Sequence, residues 1–336
     1  MTDNYLETIK VDQLSIGYQG KDAPHIVANR IHTSLLSGEL TCLLGANGAG
    51  KSTLLRTLSM SQPALKGDIY LKGRNIKEYS RSELASLISV VLTDRCEVEG
   101  MTVRELISLG RTPYTDFWGH LSEKDESVIE QAISLVGIKN LVRRRLNTLS
   151  DGERQKAMIA KALVQETPII LLDEPTAFLD FPSRVEIMQL LRRLSHKTDK
   201  SILLSTHDLE LALQIADKIW LMERGKELIT GTPEDLTINE RLTNFFQCDG
   251  VFFNEQTGLF CINNPITDCI GIKGHGKRFD MARKALRRIG IDTVEDCQSA
   301  ITVNVTDKSF EIIHENIKVA ETSTVEYLLK RIKEII

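Results

Sequence analysis

The sequence predicts an α/β protein organised on a parallel sheet, and two stretches carry that prediction. The first is Leu40–Leu44, an apolar run read as a buried strand, followed by a loop with glycines at Gly45, Gly48 and Gly50 and by Lys51-Ser52-Thr53. It opens into Leu54–Leu58, read as a helix. The second is Ile169–Leu172, four apolar residues without alternation that end in Asp173-Glu174-Pro175. A run of that kind is a strand covered on both faces, as in a parallel sheet. Open sheets of this class bind their ligands at the C-terminal ends of the strands, where the acidic pair stands.

The first stretch has the GxxxxGK[ST] form over Gly45–Ser52. Glycines let the backbone fold closely around an anion, so that successive N–H groups and the helix N-terminus face phosphates. Gly45, Asn47, Gly48, Gly50 and Thr53 belong to this cradle. Lys51 reaches the β- and γ-phosphates in this reading, and the Ser52 hydroxyl ligates Mg²⁺. Asp173 would hold the same ion through water, and Glu174 would polarise the water that attacks the γ-phosphate. The expected cofactors are therefore a nucleoside triphosphate and Mg²⁺.

A phosphate loop leaves kinases, GTPases, helicases and transport ATPases open. The stretch Leu149-Ser150-Asp151-Gly152-Glu153-Arg154-Gln155, shortly before the acidic strand, resembles the signature of ATP-binding cassette (ABC) transporter ATPases. Other elements of that family occur in register. Tyr18 is similar to the aromatic that stacks on adenine, Phe178–Asp180 resembles the D-loop, and His207 resembles the switch histidine. The resemblance implies a P-loop NTPase cassette: a RecA-like parallel core, an antiparallel β part and a helical subdomain over about 94–165. It names ATP as the nucleotide and gives Lys51, Glu174 and His207 catalytic roles. It also implies a head-to-tail homodimer in which Ser150 and Gly152 of one copy, before a helix read as Arg154–Val164, meet the ATP held by the other; Asp180 joins that site. Binding then closes the dimer and hydrolysis reopens it.

Two departures from the family pattern stand out. Asp151 occupies a glycine position of the signature, which puts a carboxylate near phosphates and is expected to point away from them. After the strand Leu87–Leu92 the family has a glutamine that touches Mg²⁺ and senses the membrane partner, and here that position is Thr93. Thr93 could approach the metal through water but lacks the amide, so altered coupling is expected. Glu153 in place of Gln is an ordinary variation.

Residues 100–114, with Gly110, Arg111, Pro113 and Tyr114, resemble the corresponding stretch of importers for iron-siderophore complexes, haem and cobalamin. In that group it receives the coupling helix of a separate permease, and Pro113, Phe117 and Trp118 beside it suit a docking surface; the alternative is an amphipathic helix Thr102–Leu109 that packs only locally. The implied partners are a second cassette, a polytopic permease and, indirectly, an extracytoplasmic binding protein. Nucleic acid is not expected. A non-transport cassette ATPase in DNA repair or on ribosomes is the competing class. However, residues 54–148 show no sustained heptad pattern, a second GxxxxGK[ST] is absent, and no guanine-reading NKxD motif supports a GTPase.

Lys and Arg total 42 against 46 Asp and Glu, a balance that excludes coating nucleic acid or an anionic bilayer by charge alone. No apolar run approaches the ~18 residues of a membrane span, and Met1–Lys10 is too polar for a signal peptide. A cytoplasmic chain, peripheral on the inner face of the membrane, is expected. None of the six cysteines forms a CxxC pair, so no zinc spacing is present and they read as ordinary thiols.

The cassette is expected over 1–263, closing with a hairpin Val251–Ile262 around Gln256–Gly258. Ser183–Glu186 reads as a capping box opening a helix after Pro182. Residues 264–336 read as a small α+β appendage. Its expected strands are Ile270–Lys273, Ile301–Val305 and Phe310–Ile313, its middle carries a basic run from Lys277 to Arg288, and its final helix is capped from Ser323.

Overall fold

The computed structural model describes residues 6–20, 23–92, 100–116, 118–246, 250–254, 259–262, 264–295 and 299–336. Thr93, Phe117 and the turn Gln256–Gly258 lie outside the described residues. The chain divides into two compact units, 1–245 and 246–336.

The first unit holds two sheets. β1 (Glu7–Tyr18), β2 (His25–Leu36), β4 (Lys66–Leu71) and β5 (Arg74–Asn75) form an antiparallel sheet in the order β2-β1-β4-β5. The second sheet contains β3 (Leu40–Leu44), β6 (Ile88–Val91), β7 (Ile169–Leu172), β8 (Ser201–Ser205), β9 (Lys218–Leu221) and β10 (Ile229–Gly231), in the order β10-β9-β3-β8-β7-β6. It is parallel throughout except for the edge strand β10. Every residue of β3, β7 and β8 is buried, as their unbroken apolar runs required. Ile9, Leu14 and Ile16 of β1 pack with Leu43, Leu171 and Trp220 of the parallel sheet and with Leu54 and Leu58 in one core.

Helices α1 (Lys51–Leu58), α2 (Arg81–Ala85), α6 (Phe181–Thr198), α7 (Leu209–Ile215), α8 (Pro233–Ile238) and α9 (Arg241–Phe246) accompany these sheets. Between β6 and β7 come α3 (Val103–Ser108), a 3₁₀ segment Leu109–Tyr114, α4 (Glu123–Val136) and α5 (Asp151–Leu163). Capping boxes open all three α-helices, at Thr102/Glu105, Ser122/Asp125 and Ser150/Glu153. In each, the cap hydroxyl accepts the third residue's N–H while that residue's carboxylate accepts the cap N–H, satisfying two orphan donors.

Several boundaries differ from the sequence reading. The helix expected to open at the Ser183–Glu186 box starts at Phe181, and Asp180 caps it by accepting the Ser183 N–H at 3.2 Å. Pro182 does not delay that start, because first-turn N–H groups have no intrahelical partner and a proline there loses nothing. The signature helix begins at Asp151, not Arg154, so Gly152 lies inside its first turn. The expected helix Thr102–Leu109 is the shorter α3, with Thr102 as its cap.

The second unit contains a hairpin of β11 (Val251–Asn254) and β12 (Leu259–Ile262). The compact units part at 245/246, so this hairpin lies in the second unit. A five-stranded sheet follows, with β13 (Asp268–Lys273), β14 (Ile291–Glu295), β15 (Ile301–Val305), β16 (Phe310–His314) and β17 (Ile317–Thr322) in the order β14-β13-β15-β16-β17. α10 (Lys277–Arg288) and α11 (Val325–Ile335) share one core with it, where Phe279, Leu286, Leu328 and Ile332 meet Ile272 and Val303. α11 is capped by Thr324, one residue after the expected Ser323.

Candidate nucleotide-binding site

Backbone crowding dictates the glycines of the loop between β3 and α1. A Cβ on Gly45 would lie 2.3 Å from the Met222 carbonyl oxygen. Gly50 caps α1 at φ 108°, where a Cβ would lie 2.3 Å from Val27 Cγ1. No side chain caps α1, so its leading N–H groups stay available to an anion. Gly50→Ala combines a left-handed backbone with a steric clash. It is expected to weaken triphosphate binding at least tenfold, as read by titration with a fluorescent ATP analogue.

Lys51 is 5% exposed, and its Nζ donates to the carbonyl oxygens of Gly45 at 2.8 Å and Ala46 at 3.3 Å. Burial lowers the pKa of the ammonium, an effect opposed by the charges of Glu174 and Asp173. Those two carboxylates arrive from the end of β7. The pairing of β7 with β8 sets Leu172 beside Leu204, and therefore Asp173 beside Ser205. The Ser205 hydroxyl donates to Asp173 Oδ1 at 2.7 Å and accepts the Glu174 N–H at 2.9 Å. One side chain thereby fixes both members of the acidic pair. Sequence reading assigned Ser205 no role, although its place at the end of an apolar strand was a usable signal.

Glu174 has φ 48°, a left-handed conformation that costs a non-glycine residue on the order of 1 kcal/mol or more. This turn accompanies a hydrogen bond between the Glu174 carboxylate and His207 Nε2. His207 stands just before α7, whose cap Asp208 accepts the Leu211 N–H and pairs with Arg184 at 2.9 Å. Asp180 caps α6, and the Ser183 bonds hold its carboxyl below the usual range.

Tyr18 ends β1, and its hydroxyl is 3.0 Å from Thr53 Oγ1 on α1. That bond holds a half-exposed ring beside a cavity of about 520 Å³, whose lining includes Tyr18, Ser52, Leu55, Val90, Leu92 and Asp173. Ser52 and Asp173 thus face one space and offer a hydroxyl and a carboxylate. Among the described residues no group of three or more His, Cys, Asp or Glu side chains could enclose a metal. A sparse oxygen donor set fits Mg²⁺, which keeps waters and shares substrate phosphates rather than entering a protein cage.

The fold therefore brings Lys51, Ser52, Asp173, Glu174 and His207 together, with Tyr18 nearby. Ser150 and Gly152 do not line that cavity. They stand at the start of α5, Ser150 exposed and Gly152 half-buried against Ser183; Ser150 Oγ accepts the Glu153 N–H at 3.2 Å and Glu153 accepts the Ser150 N–H at 2.9 Å. Asp151 is exposed beside them. The metal role expected of Thr93 concerns a residue outside the described set.

Comparison with known proteins identifies the family. Residues 28–177 match the ABC transporter family model, and residues 267–333 match the iron ABC transporter C-terminal domain. An uncharacterised ABC transporter ATP-binding protein of Methanocaldococcus jannaschii is 39% identical over 77% of this chain and 88% of its own length. The iron(3+)-hydroxamate import ATP-binding protein of Bacillus subtilis is 33% identical over 73% of this chain and 89% of its own length. The ferric enterobactin transport ATP-binding protein of Escherichia coli is 33% identical over 71% and 86%. Among solved structures, a metal-chelate type ABC transporter in an inward-facing conformation superposes with a TM-score of 0.62 at 26% identity, covering 71% of this chain and 89% of that one. No helix among the described residues is long and apolar enough to cross a membrane. With a phosphate cradle, an acidic pair and a signature helix on one cassette fold, this chain belongs to the ABC transporter family as an ATP-binding subunit, an ATPase that powers transport.

Proposed function

We infer that this chain powers an importer of an iron chelate, with a siderophore complex as the cargo class ahead of haem or cobalamin. The observation that carries the reading is the match of residues 267–333 to the iron ABC transporter C-terminal domain. Relatives named for hydroxamate and enterobactin import, aligned over most of their own length, support it. The cargo would cross through a separate permease, fed by an extracytoplasmic binding protein, with this chain peripheral on the cytoplasmic face.

In the proposed cycle Tyr18 stacks on the adenine, and the loop from Gly45 to Thr53, with Asn47, Gly48 and Gly50, wraps the phosphates. Lys51 neutralises the β- and γ-phosphates, its desolvation raising the strength of that contact. Ser52 and Asp173 would hold Mg²⁺, which supplies further neutralisation of charge on the transferring phosphoryl group. Glu174 accepts the proton of the attacking water, and His207 orients Glu174 through the bond between them. Because Ser150 is exposed at the helix start and neither it nor the half-buried Gly152 lines their own chain's cavity, they would serve the triphosphate of a second copy. Asp180 would lie at the same seam.

The test is uptake of radioiron-labelled siderophore by cells lacking the gene. The wild-type gene should restore uptake, and Lys51→Ala should not. Normal uptake in the deletion strain, with heme or cobalamin uptake lost instead, overturns the cargo assignment.

A further inference from the structure

The segment expected to receive a permease is joined to the catalytic core through the turn that connects α5 to β7. Gly110 lies against the last turn of α5 so closely that a Cβ there would sit 2.2 Å from the Lys161 carbonyl oxygen and 2.5 Å from Val164 Cγ2. Next to it, Arg111 is 1% exposed, an extreme burial for a guanidinium. Its Nη1 donates to the Val164 carbonyl at 2.7 Å and to Glu166 at 2.6 Å, and its Nε donates to Asp125 at 2.7 Å. The guanidinium also lies 4.1 Å from the centre of the Tyr114 ring. Tyr114 in turn donates its hydroxyl proton to the Gln165 carbonyl at 2.8 Å.

The gripped turn is itself tied to the sheet. Gln165 Nε2 donates to the Ala85 carbonyl at 2.7 Å, just before β6, and Lys200 Nζ donates to the Thr167 carbonyl ahead of β8. α5 runs back from this turn to Ser150, about 20 Å away for its thirteen residues. β7 runs forward to Asp173 and Glu174 over four buried residues. Meanwhile Leu109 and Trp118 of the same neighbourhood remain exposed.

We propose that Gly110, Arg111 and Tyr114 are positioning residues forming a clamp that carries displacement of the exposed 109–118 surface into the signature helix and the catalytic strand together. The Arg111 bonds to Asp125 and Val164 are short and buried, and those to Glu166 and from Tyr114 add short contacts nearer the surface, so the segment and the turn move as one body. This inference rests on the reading that a permease docks on that surface.

Tyr114→Phe removes one hydroxyl, and Gln165→Met removes the tie to Ala85. Both variants would be assayed as full-length chains, alone and assembled with the co-purifying permease in lipid nanodiscs. Alone, kcat and KM for ATP should stay within twofold of wild type. In the complex, the permease-stimulated kcat should fall about fivefold for each, the size of one lost hydrogen bond, with KM for ATP unchanged. A stimulated-to-basal ratio equal to wild type overturns the clamp. So does an equal fall in both states together with a lowered melting temperature, which marks a purely structural role. Absence of stimulation in the wild-type complex overturns the docking reading itself.

Discussion

Glu174→Gln lowers the ATP hydrolysis rate by about 10²- to 10⁴-fold, the range for removing a general base, and leaves the affinity for ATP within severalfold of wild type. The amide keeps the shape of the side chain and can still bond to His207, but it cannot take the proton of the attacking water. The Glu174 N–H remains on Ser205, so the acidic turn and the Asp173 contact survive. Steady-state phosphate release and a nucleotide titration on the same preparation separate the two effects. A variant that hydrolyses within tenfold of wild type removes Glu174 from the role of base.

Arg111→Met destabilises the first unit by about 3–5 kcal/mol, the cost of breaking a buried ion pair from one side. The methionine fills much of the space but leaves Asp125 Oδ1 and the Val164 carbonyl without the donor Arg111 supplied. Asp125 is held at a pKa of about 2, first by the Ser122 hydroxyl and backbone N–H and then by Arg111. A carboxyl lowered in the folded state adds stability that is present above its unfolded pKa, near 4, and is lost as pH falls through about 2. Wild type should keep this contribution at pH 5 and shed it between about pH 4 and pH 2. In Arg111→Met this contribution should be smaller and its loss complete at a higher pH, because one of the lowering partners is gone. Chemical denaturation at pH 7 and about pH 3 measures both statements, and a cost below 1 kcal/mol at pH 7 contradicts the assigned role.

The parts of this protein that were legible in its sequence are those whose physics is local. The unbroken apolar runs of β3, β7 and β8 read as doubly covered strands, and the glycine loop announced itself by spacing. What escaped depended on partners far along the chain. Arg111 sat within a stretch assigned to docking, yet its partners lie 14, 53 and 55 residues away and bury it. Ser205 gained its role from the register of β8 against β7, which a single sequence does not display. β17 was missed because it is an edge strand with no buried residue, so no apolar face marks it. The start of α6 was misplaced because Pro182 read as a boundary rather than as a first-turn residue.

The central claim is that two copies of this chain close on two nucleotides, each contributing the Ser150–Gly152 helix start to the other's site. Sedimentation velocity of the full-length Glu174→Gln chain tests it most directly, with and without saturating ATP and Mg²⁺. The account predicts a monomer that becomes a dimer on addition of ATP and Mg²⁺, and a return to monomer when Ser150 is also changed to Arg. A Glu174→Gln chain that stays monomeric in saturating ATP, or whose dimer is indifferent to the change at Ser150, contradicts it.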